Sequence, residues 1–379
     1  MSAPVAAIRE RLTALDAFRG LTVAGMLLVN NPGSWGAVYP PLKHAQWHGW
    51  TPTDLIFPFF LFIVGITTHL SKKEPRSILR RGLTIVLLGL LLNAFPFFWW
   101  GKMEGIDAPT FLQRVVWRFE HLRFAGVLQR IGIVYIAAAL ISLKATRRQL
   151  MVVVAAILFG YWAILSLGPL EPPERTVAAA VDRALLGANH IWASSKTWDP
   201  EGPLSTVPAI ATALLGVLVA GWLTDRNRPL SERVAQLYGV GSLGLVTGWL
   251  WGLLFPINKG LWTSSYVVFT AGFACVALAT CLWLIDVQGH RRWAKPFVIY
   301  GVNPTIAFVG SGIMARLLSS LLKVNYGGKP TSLQTVSYKM TLEPWFTPEF
   351  ASMLWALSFV MFWFVILAVL WKRKIILKV

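Results

Sequence analysis

Ten long runs of apolar residues, separated by polar stretches, dominate the pattern of the chain. They cover residues 12–30, 51–70, 78–99, 124–143, 150–167, 206–223, 234–255, 264–285, 297–322 and 351–371. Each run has the length that an α-helix needs to cross about 30 Å of hydrocarbon. The pattern therefore predicts an all-α polytopic membrane protein, a helical bundle of about ten transmembrane helices. With an even number of spans, both termini lie on one side.

The polar stretches fall into two groups by length. Those at 31–50, 93–122, 168–204 and 324–350 are long and rich in Pro, Gly and Trp, whereas the alternating ones are short. Loops of that length in a compact bundle are usually functional or partly helical. We expect short interfacial segments that roof a cavity between the spans, within one membrane domain covering 1–379.

Composition agrees with lipid as the solvent of this chain. Of its 379 residues 55% are hydrophobic and 14% are charged, against about 25% charged in an ordinary soluble domain. The first apolar run is long enough to span and ends at no small-residue cleavage site, so we expect it to remain as the first helix. Cys275 and Cys281 fall in one predicted span, so no disulfide framework is indicated.

The net charge of +18 raises the question of a nucleic-acid partner. The basic residues do not form one patch, because they are distributed over the short loops. With the N-terminus inside, the inner segments hold 20 Lys and Arg and the longer outer segments hold 10. This bias places both termini in the cytoplasm and predicts attraction to anionic lipid instead of nucleic acid.

The first two spans carry the densest set of polar groups. Asp16 and Arg19 are three residues apart on one helical face, where they form either a structural ion pair or a ligand contact. His44 precedes the second span by a few residues and is close in sequence to Asp54. Imidazole exchanges protons near neutral pH, and a carboxylate can orient it, so His44 is a candidate general base as well as a structural residue.

His48 follows His44 by four residues, which raises a zinc alternative. A His-x-x-x-His pair on a helix can hold a metal, but a third ligand is needed and none follows at recognisable spacing. We expect no metal.

Several blocks across the chain resemble the heparan-α-glucosaminide N-acetyltransferase family, in the same order as in that family. They are LDAFRG at 15–20, HAQW at 44–47, DLIFPF at 54–59, GVLQRIG at 126–132, DPEG at 199–202, PINKGLWTSSY at 256–266 and GVNP at 301–304. The resemblance implies a transmembrane acyltransferase that takes acetyl from cytoplasmic acetyl-CoA and delivers it to a glucosamine amino group on the opposite side.

In the resembled family, the motif histidine corresponds to His44. The residues around it suggest the rest of a catalytic set, in which Asp54 orients the ring and a donor such as Asn30 steadies the developing oxyanion. His44 either removes the amine proton or carries the acetyl group itself, and the sequence leaves both routes open.

Basic and amide side chains are the expected contacts of the phosphate-bearing donor. For single loop residues, among them Lys72, the alternative is ordinary loop charge. Arg123 and Arg130 instead flank or enter a span, where an arginine faces a cavity or braces neighbouring helices. The predicted donor-binding residues are Arg19, Lys72, Arg123, Gln129, Arg130 and Asn303.

The acceptor is expected at the outer face. Asp199 and Glu201 could hydrogen-bond sugar hydroxyls, and tryptophans could stack on a pyranose, although an interfacial aromatic belt explains them as well. The predicted acceptor-binding residues are Trp47, Asp199, Glu201, Asn258, Lys259 and Trp262.

Two other functions fit the same pattern. Ten helices with midspan polar groups also describe a sugar or solute transporter, and a hydroxyl acceptor would make the protein an O-acetyltransferase of a cell-envelope glycan. The lysosomal member of the family has a luminal domain and a further span before the first block, where this chain has about a dozen residues. We therefore expect a bacterial inner-membrane protein with an amino sugar or glycan other than heparan sulfate as acceptor. A homodimer is one assembly that the sequence permits.

Overall fold

The structure is a computed structural model that describes residues 12–71, 74–103, 106–225 and 227–377. The helices in this part of the chain are α1 Thr13–Asn30, α2 Pro52–Ser71, α3 Pro75–Ala94, α4 Phe111–Glu120, α5 Val127–Lys144, α6 Arg147–Leu165, α7 Val177–Leu186, α8 Pro203–Leu223, α9 Leu230–Gly252, α10 Ser264–Leu282, α11 Lys295–Val302, α12 Pro304–Arg316, α13 Leu333–Thr341 and α14 Pro348–Lys372. Short π-helical segments extend α10 over Trp283–Val287 and α12 over Leu317–Leu321. One antiparallel hairpin pairs β1 Lys323–Tyr326 with β2 Lys329–Ser332.

The helical membrane fold is confirmed, since every predicted run forms helix. Eight helices among the described residues are long and apolar enough to cross a membrane. The predicted runs at 12–30 and 234–255 form α1 and α9, of 18 and 23 residues, which are not among those eight. In α1, Asp16 and Arg19 contribute polar character.

Two predicted boundaries are corrected at prolines. The run 297–322 is divided, because Pro304 lacks the N–H that would continue α11 and Asn303 adopts a non-helical conformation. The run 78–99 ends as helix at Ala94, since Phe95 precedes Pro96 and a residue before proline is disfavoured in helical conformation.

Contacts between helix ends agree with the alternating topology. Arg147 at the start of α6 lies over the ring of Trp222 at the end of α8, at 4.8 Å, and Lys295 of α11 lies 5.6 Å from the ring of Trp371 in α14. The backbone N–H of Ala14 donates to Asp286, just beyond α10, at 3.1 Å. We call the end of the bundle that holds these contacts the inner end, and the opposite end the outer end.

The long outer segments are partly helical, as predicted. They contain α4, α7, α13 and the hairpin. Thr110 and Gln113 form a capping box that starts α4. The hairpin turns at Gly327 and Gly328, both at positive φ, the backbone conformation that a two-residue turn of this kind requires.

The centre of the bundle is the contact between α2 and α8, which approach closely at glycines. A Cβ atom at Gly216 would lie 2.1 Å from the carbonyl oxygen of Phe62, and one at Gly65 would lie 1.8 Å from that of Ala213. Small residues allow this approach, which maximises van der Waals packing where lipid supplies no hydrophobic drive between helices.

Gly216→Ala is expected to lower the free energy of unfolding by about 1–3 kcal/mol, because the added methyl must displace backbone of α2. Gly221→Ala on the same helix is the control, since a Cβ there meets nothing within 4 Å and alanine is the better helix former by about 1 kcal/mol. The measurement is the melting temperature in detergent. Equal effects of the two substitutions would contradict the close approach.

Candidate active site

His44 and Asp54 form a pair at the outer end of the bundle. Nδ1 of His44 lies 2.6 Å from Oδ1 of Asp54, whose side chain is 1% exposed, whereas that of His44 is 50% exposed. Oδ2 of Asp54 accepts the N–H groups of Ala45 and Thr51, each at 3.0 Å, and the Thr51 hydroxyl at 3.1 Å. The carboxylate lies in the first turn of α2, where the helix dipole favours negative charge. It is therefore fixed, and the imidazole remains accessible.

Lys259 completes the arrangement from the other side. Its Nζ lies 2.9 Å from Nδ1 of His44 and 3.5 Å from Oδ1 of Asp54. Burial lowers the pKa of Lys259, against the opposing charges of Asp54 and Glu201. The amine of Lys259 and the Nδ1–H of His44 therefore compete as donors for the same carboxylate oxygen of Asp54.

The loop between α9 and α10 holds Lys259 in this place. Nδ2 of Asn258 donates to Nδ1 of His48 at 3.2 Å, and its Oδ1 accepts the N–H of Leu261 at 2.8 Å. The N–H of Gly49 donates to the carbonyl of Ile257 at 2.8 Å. Burial lowers the pKa of His48, which keeps its ring neutral and able to accept. Asn258 is fully buried, so it positions the loop and does not face an acceptor.

A second charged cluster lies beside this site. Nε of Arg123 donates to Oδ2 of Asp199 at 2.8 Å, and its guanidinium also pairs with Glu201. Burial opposes the charge of Arg123, but hydrogen bonds and charges from Asp199 and Glu201 raise its pKa overall. The two carboxylates predicted to bind sugar are therefore engaged with Arg123, and this occupancy does not fit that role.

Asp182 of α7 borders the cluster and has a buried carboxyl group with a raised pKa. It accepts the N–H of Asp199 at 2.9 Å, while its Oδ1 is buried without a hydrogen-bond partner in the described part of the chain. Burial raises its pKa to about 6, and the charge of Asp199 adds to this, against that hydrogen bond and the charges of Arg130 and Arg183.

The fold therefore binds this proton more tightly than the unfolded chain does, and stability should fall as pH rises between about 4 and 6. Asp182→Asn removes the ionisation, so we expect a gain of about 1–3 kcal/mol over the wild type at pH 7.5 that shrinks toward pH 4. Melting temperatures between pH 4.5 and 8 measure it, with Asp225→Asn, on a short inner loop, as control. Parallel curves for Asp182→Asn and wild type would contradict the raised pKa.

Two cavities lie between α1, α3, α5 and α12, and the inner one also borders α2. The outer cavity has a volume of about 320 Å³ and includes Asn30, Arg123 and Gln129 in its wall. The inner cavity, of about 110 Å³, includes Arg19 and Arg81. Met26, Leu128 and Phe308 line both cavities, so the two are neighbours along the bundle axis.

Four of the residues predicted to bind the donor or the oxyanion thus line a cavity: Arg19, Asn30, Arg123 and Gln129. Arg19 is also paired with Asp16 at 2.6 Å and donates to the carbonyl of Gly301 at 2.7 Å, so ion pair and cavity lining occur together. Asn30 makes no hydrogen bond to His44 within the described residues, and its contribution to the site comes from the outer cavity. Lys72 lies outside the described residues.

Arg130 and Asn303 do not line either cavity. Arg130 lies over the ring of Trp262 at 4.9 Å and donates from Nε to Thr206 at 3.3 Å, which braces α5 against α8. Asn303 binds the C-terminal segment, donating to the carbonyl of Ile375 at 3.0 Å and accepting from the N–H of Leu377 at 3.1 Å. Both positions fit bracing better than donor contact.

Trp262 does not present a free face to a sugar, and Trp47 is partly buried. Trp262 is 1% exposed, packed against Phe57 and Tyr266, with its indole N–H donated to Thr212 at 3.2 Å. Trp47 donates to the carbonyl of Leu170 at 2.9 Å and meets Trp198 edge-on. Burial removes the stacking role of Trp262, and Trp47 serves the packing of the outer loops.

Arg316 is a cavity residue that the sequence reasoning missed. It is the last residue of α12 and lies in the wall of the outer cavity. The available signal was its place inside the predicted span 297–322, since an arginine in a span usually marks a cavity or a partner. Among the described residues, no three His, Cys, Asp or Glu side chains group as a metal site.

Comparison with known proteins extends the resemblance found in the motifs. The sequence profile of the catalytic region of heparan-alpha-glucosaminide N-acetyltransferase matches residues 11–245. Heparan-alpha-glucosaminide N-acetyltransferase of Mus musculus is 30% identical, over 80% of this chain and 54% of the mouse protein. The Homo sapiens protein of the same name is 30% identical, over 81% of this chain and 53% of its own length. The chain spans about half the length of these relatives, and it belongs to the heparan-alpha-glucosaminide N-acetyltransferase family.

Proposed function

We propose that the protein transfers an acetyl group from cytoplasmic acetyl-CoA to an amino sugar or glycan on the other side of a bacterial inner membrane. The observation that carries the proposal is the His44–Asp54 pair, a fixed carboxylate that orients an accessible imidazole at the outer end. Such a pair is the arrangement that general-base and nucleophilic catalysis both require.

In the chemical step, the acceptor amine attacks the thioester carbonyl, a C–N bond forms and the C–S bond breaks. With Nδ1–H donated to Asp54, Nε2 of His44 takes the amine proton and returns it to the departing thiolate. In the alternative route Nε2 attacks the thioester carbonyl, the C–S bond breaks and the CoA thiolate leaves. The amine then displaces Nε2 from the acetyl carbon and gives its proton to the freed Nε2. Asn30, in the wall of the outer cavity, and Lys259 are the groups able to stabilise the oxyanion.

The donor would enter from the inner end. Arg19 and Arg81 line the inner cavity, and Nε of Arg81 is buried without a partner among the described residues. Guanidinium groups bind phosphate through charge-assisted hydrogen bonds. The pantetheine arm would then run past Met26, Leu128 and Phe308 to bring the thioester to the outer half of the bundle.

The test is turnover of radiolabelled acetyl-CoA by the purified protein against a panel of amino sugars and of matched sugars that carry hydroxyls only. Amine-dependent release of CoA with formation of an acetamido product supports the proposal. Acetylation of hydroxyls alone would make the protein an O-acetyltransferase. Uptake of sugar into proteoliposomes without acetyl-CoA, with no turnover, would replace the enzyme by a transporter, for which the paired cavities would serve as the path.

A further inference from the structure

Arg316 carries a charge that the described part of the protein does not neutralise. Its Nη1 donates to the carbonyl of Gly312 in its own helix at 3.1 Å, and no described carboxylate pairs with it. Arg118 of α4 lies close enough for its charge to act on Arg316. Arg118 itself donates to backbone carbonyls at the end of α3, among them that of Ala94 at 3.1 Å. An arginine in a membrane helix beside a second positive charge is costly unless an anion compensates it.

The outer cavity next to Arg316 supplies one further donor, the amide of Gln129. Gln129 is 4% exposed and lines this cavity, and its Nε2 has no hydrogen-bond partner among the described residues. Gly89 and Gly126 border the amide of Gln129 so closely that a Cβ at either would lie within 2.7 Å of its Oε1. The amide is therefore held in place, and a buried donor left unpaired in the free protein is a position that a ligand oxygen can satisfy.

Arg123 does not share this surplus of positive charge. It lies in the wall of the same cavity, but Asp199 and Glu201 neutralise it. The charge of Glu201 in turn acts on Lys259, which lies 2.9 Å from His44. The unmatched charge of this cavity is therefore at Arg316.

We propose that the outer cavity binds an anionic group of the acceptor through Arg316 and Gln129, so that the preferred acceptor is an amino sugar bearing a carboxylate or phosphate. This assignment rests on the proposed acetyl transfer. The cavity, of about 320 Å³, is at the lower end of the range for small-molecule sites. The donor phosphates belong to the opposite end, beyond Met26, Leu128 and Phe308.

Kinetics with a matched pair of acceptors test the proposal. In detergent free of phospholipid, kcat/KM for glucosamine 6-phosphate should exceed that for glucosamine by about 10- to 100-fold. This is the contribution expected of a hydrogen bond to a charged group, and it should appear as a lower KM for the phosphorylated acceptor. Arg316→Gln should bring the ratio of the two kcat/KM values close to 1, while Arg316→Lys should keep part of the preference. Arg228→Gln, in an exposed ion pair on a short inner loop, is the control. An equal kcat/KM for both acceptors in the wild type would overturn the inference while acetyl transfer stands.

Two other anions that Arg316 could bind, a donor phosphate and a lipid headgroup, give different experimental results. If Arg316 meets a phosphate of the donor, Arg316→Gln will raise the KM for acetyl-CoA with either acceptor, which overturns the assignment to the acceptor. If it meets a lipid headgroup, nanodiscs of phosphatidylglycerol will raise the melting temperature over phosphatidylcholine in the wild type and not in Arg316→Gln, with no preference between acceptors, and the assignment is again overturned.

Direct binding separates this inference from the proposed function. Calorimetry with glucosamine 6-phosphate in the absence of acetyl-CoA should show binding that Arg316→Gln loses. If that binding is present and no amine is acetylated, the anion site stands and the proposed transferase function fails.

Discussion

Replacing His44 by alanine should reduce acetyl transfer by about 10²–10⁴-fold, the contribution of a positioned acid–base group. The loss should appear in kcat, because proton transfer and acetyl transfer both occur after the substrates bind. The imidazole is half-exposed and its described partners are Asp54 and Lys259, so the fold does not depend on it. The melting temperature of the variant should stay within a few degrees of the wild type.

His121→Ala is a matched control for this experiment. His121 also lies on an outer segment, where its ring stacks on Trp117 at 4.0 Å and its Nδ1 is hydrogen-bonded to the carbonyl of the same residue. If His121→Ala keeps full activity while His44→Ala is inactive, the loss is specific to the chemical role of His44 and is not a general effect of removing a histidine from an outer segment. A His44→Ala protein with wild-type turnover would remove His44 from the mechanism. In the wild type, release of one equivalent of CoA without any acceptor identifies the acetyl-histidine route.

The helices could be predicted from sequence because lipid imposes a local rule. Every backbone polar group in a span must be satisfied within its own segment, so an apolar run of sufficient length forms helix wherever it packs. The errors came at two prolines: Phe95 before Pro96 is disfavoured in helical conformation, and Pro304 lacks the N–H that would continue α11. Reading the proline at 304 as a helix start would have divided the run at 297–322.

The site was only partly predictable, because a sequence pattern indicates contacts between residues that are near in the chain and not between distant ones. His44 and Asp54 are ten residues apart and meet as their spacing suggested. Arg123 meets Asp199 across 76 residues, and no local pattern indicates that pairing. Asp199 therefore looked like a free carboxylate for sugar, although Arg123 occupies it. Arg316 was overlooked because it lies in no motif block, although the cost of placing a charge inside a predicted span was visible in the sequence.

Asp54→Asn should lower kcat by about 10²–10⁴-fold through a change of histidine tautomer. Three donors converge on Oδ2 of Asp54, from Ala45 and Thr51, so the amide oxygen of an asparagine will take that position. Its NH₂ group then replaces Oδ1 and donates to Nδ1 of His44. The proton moves to Nε2, which can no longer accept the amine proton or the acetyl group. Because the contacts that fix the start of α2 are retained, stability should change little.

Repulsion between Lys259 and a protonated His44 is a second possible source of the loss of kcat in Asp54→Asn. In the wild type its amine lies 3.5 Å from the Asp54 carboxylate, and in Asp54→Asn a lysine without this counter-charge disfavours a protonated imidazole 2.9 Å away. Lys259→Met alone should lower kcat, because it removes a group able to stabilise the oxyanion, so the double-mutant cycle measures the repulsion. A smaller loss of kcat for Lys259→Met in Asp54→Asn than in the wild type would show that repulsion contributes, and equal losses would assign the effect of Asp54→Asn to the tautomer. An Asp54→Asn protein within threefold of wild-type kcat would show that the carboxylate does not orient the catalytic ring.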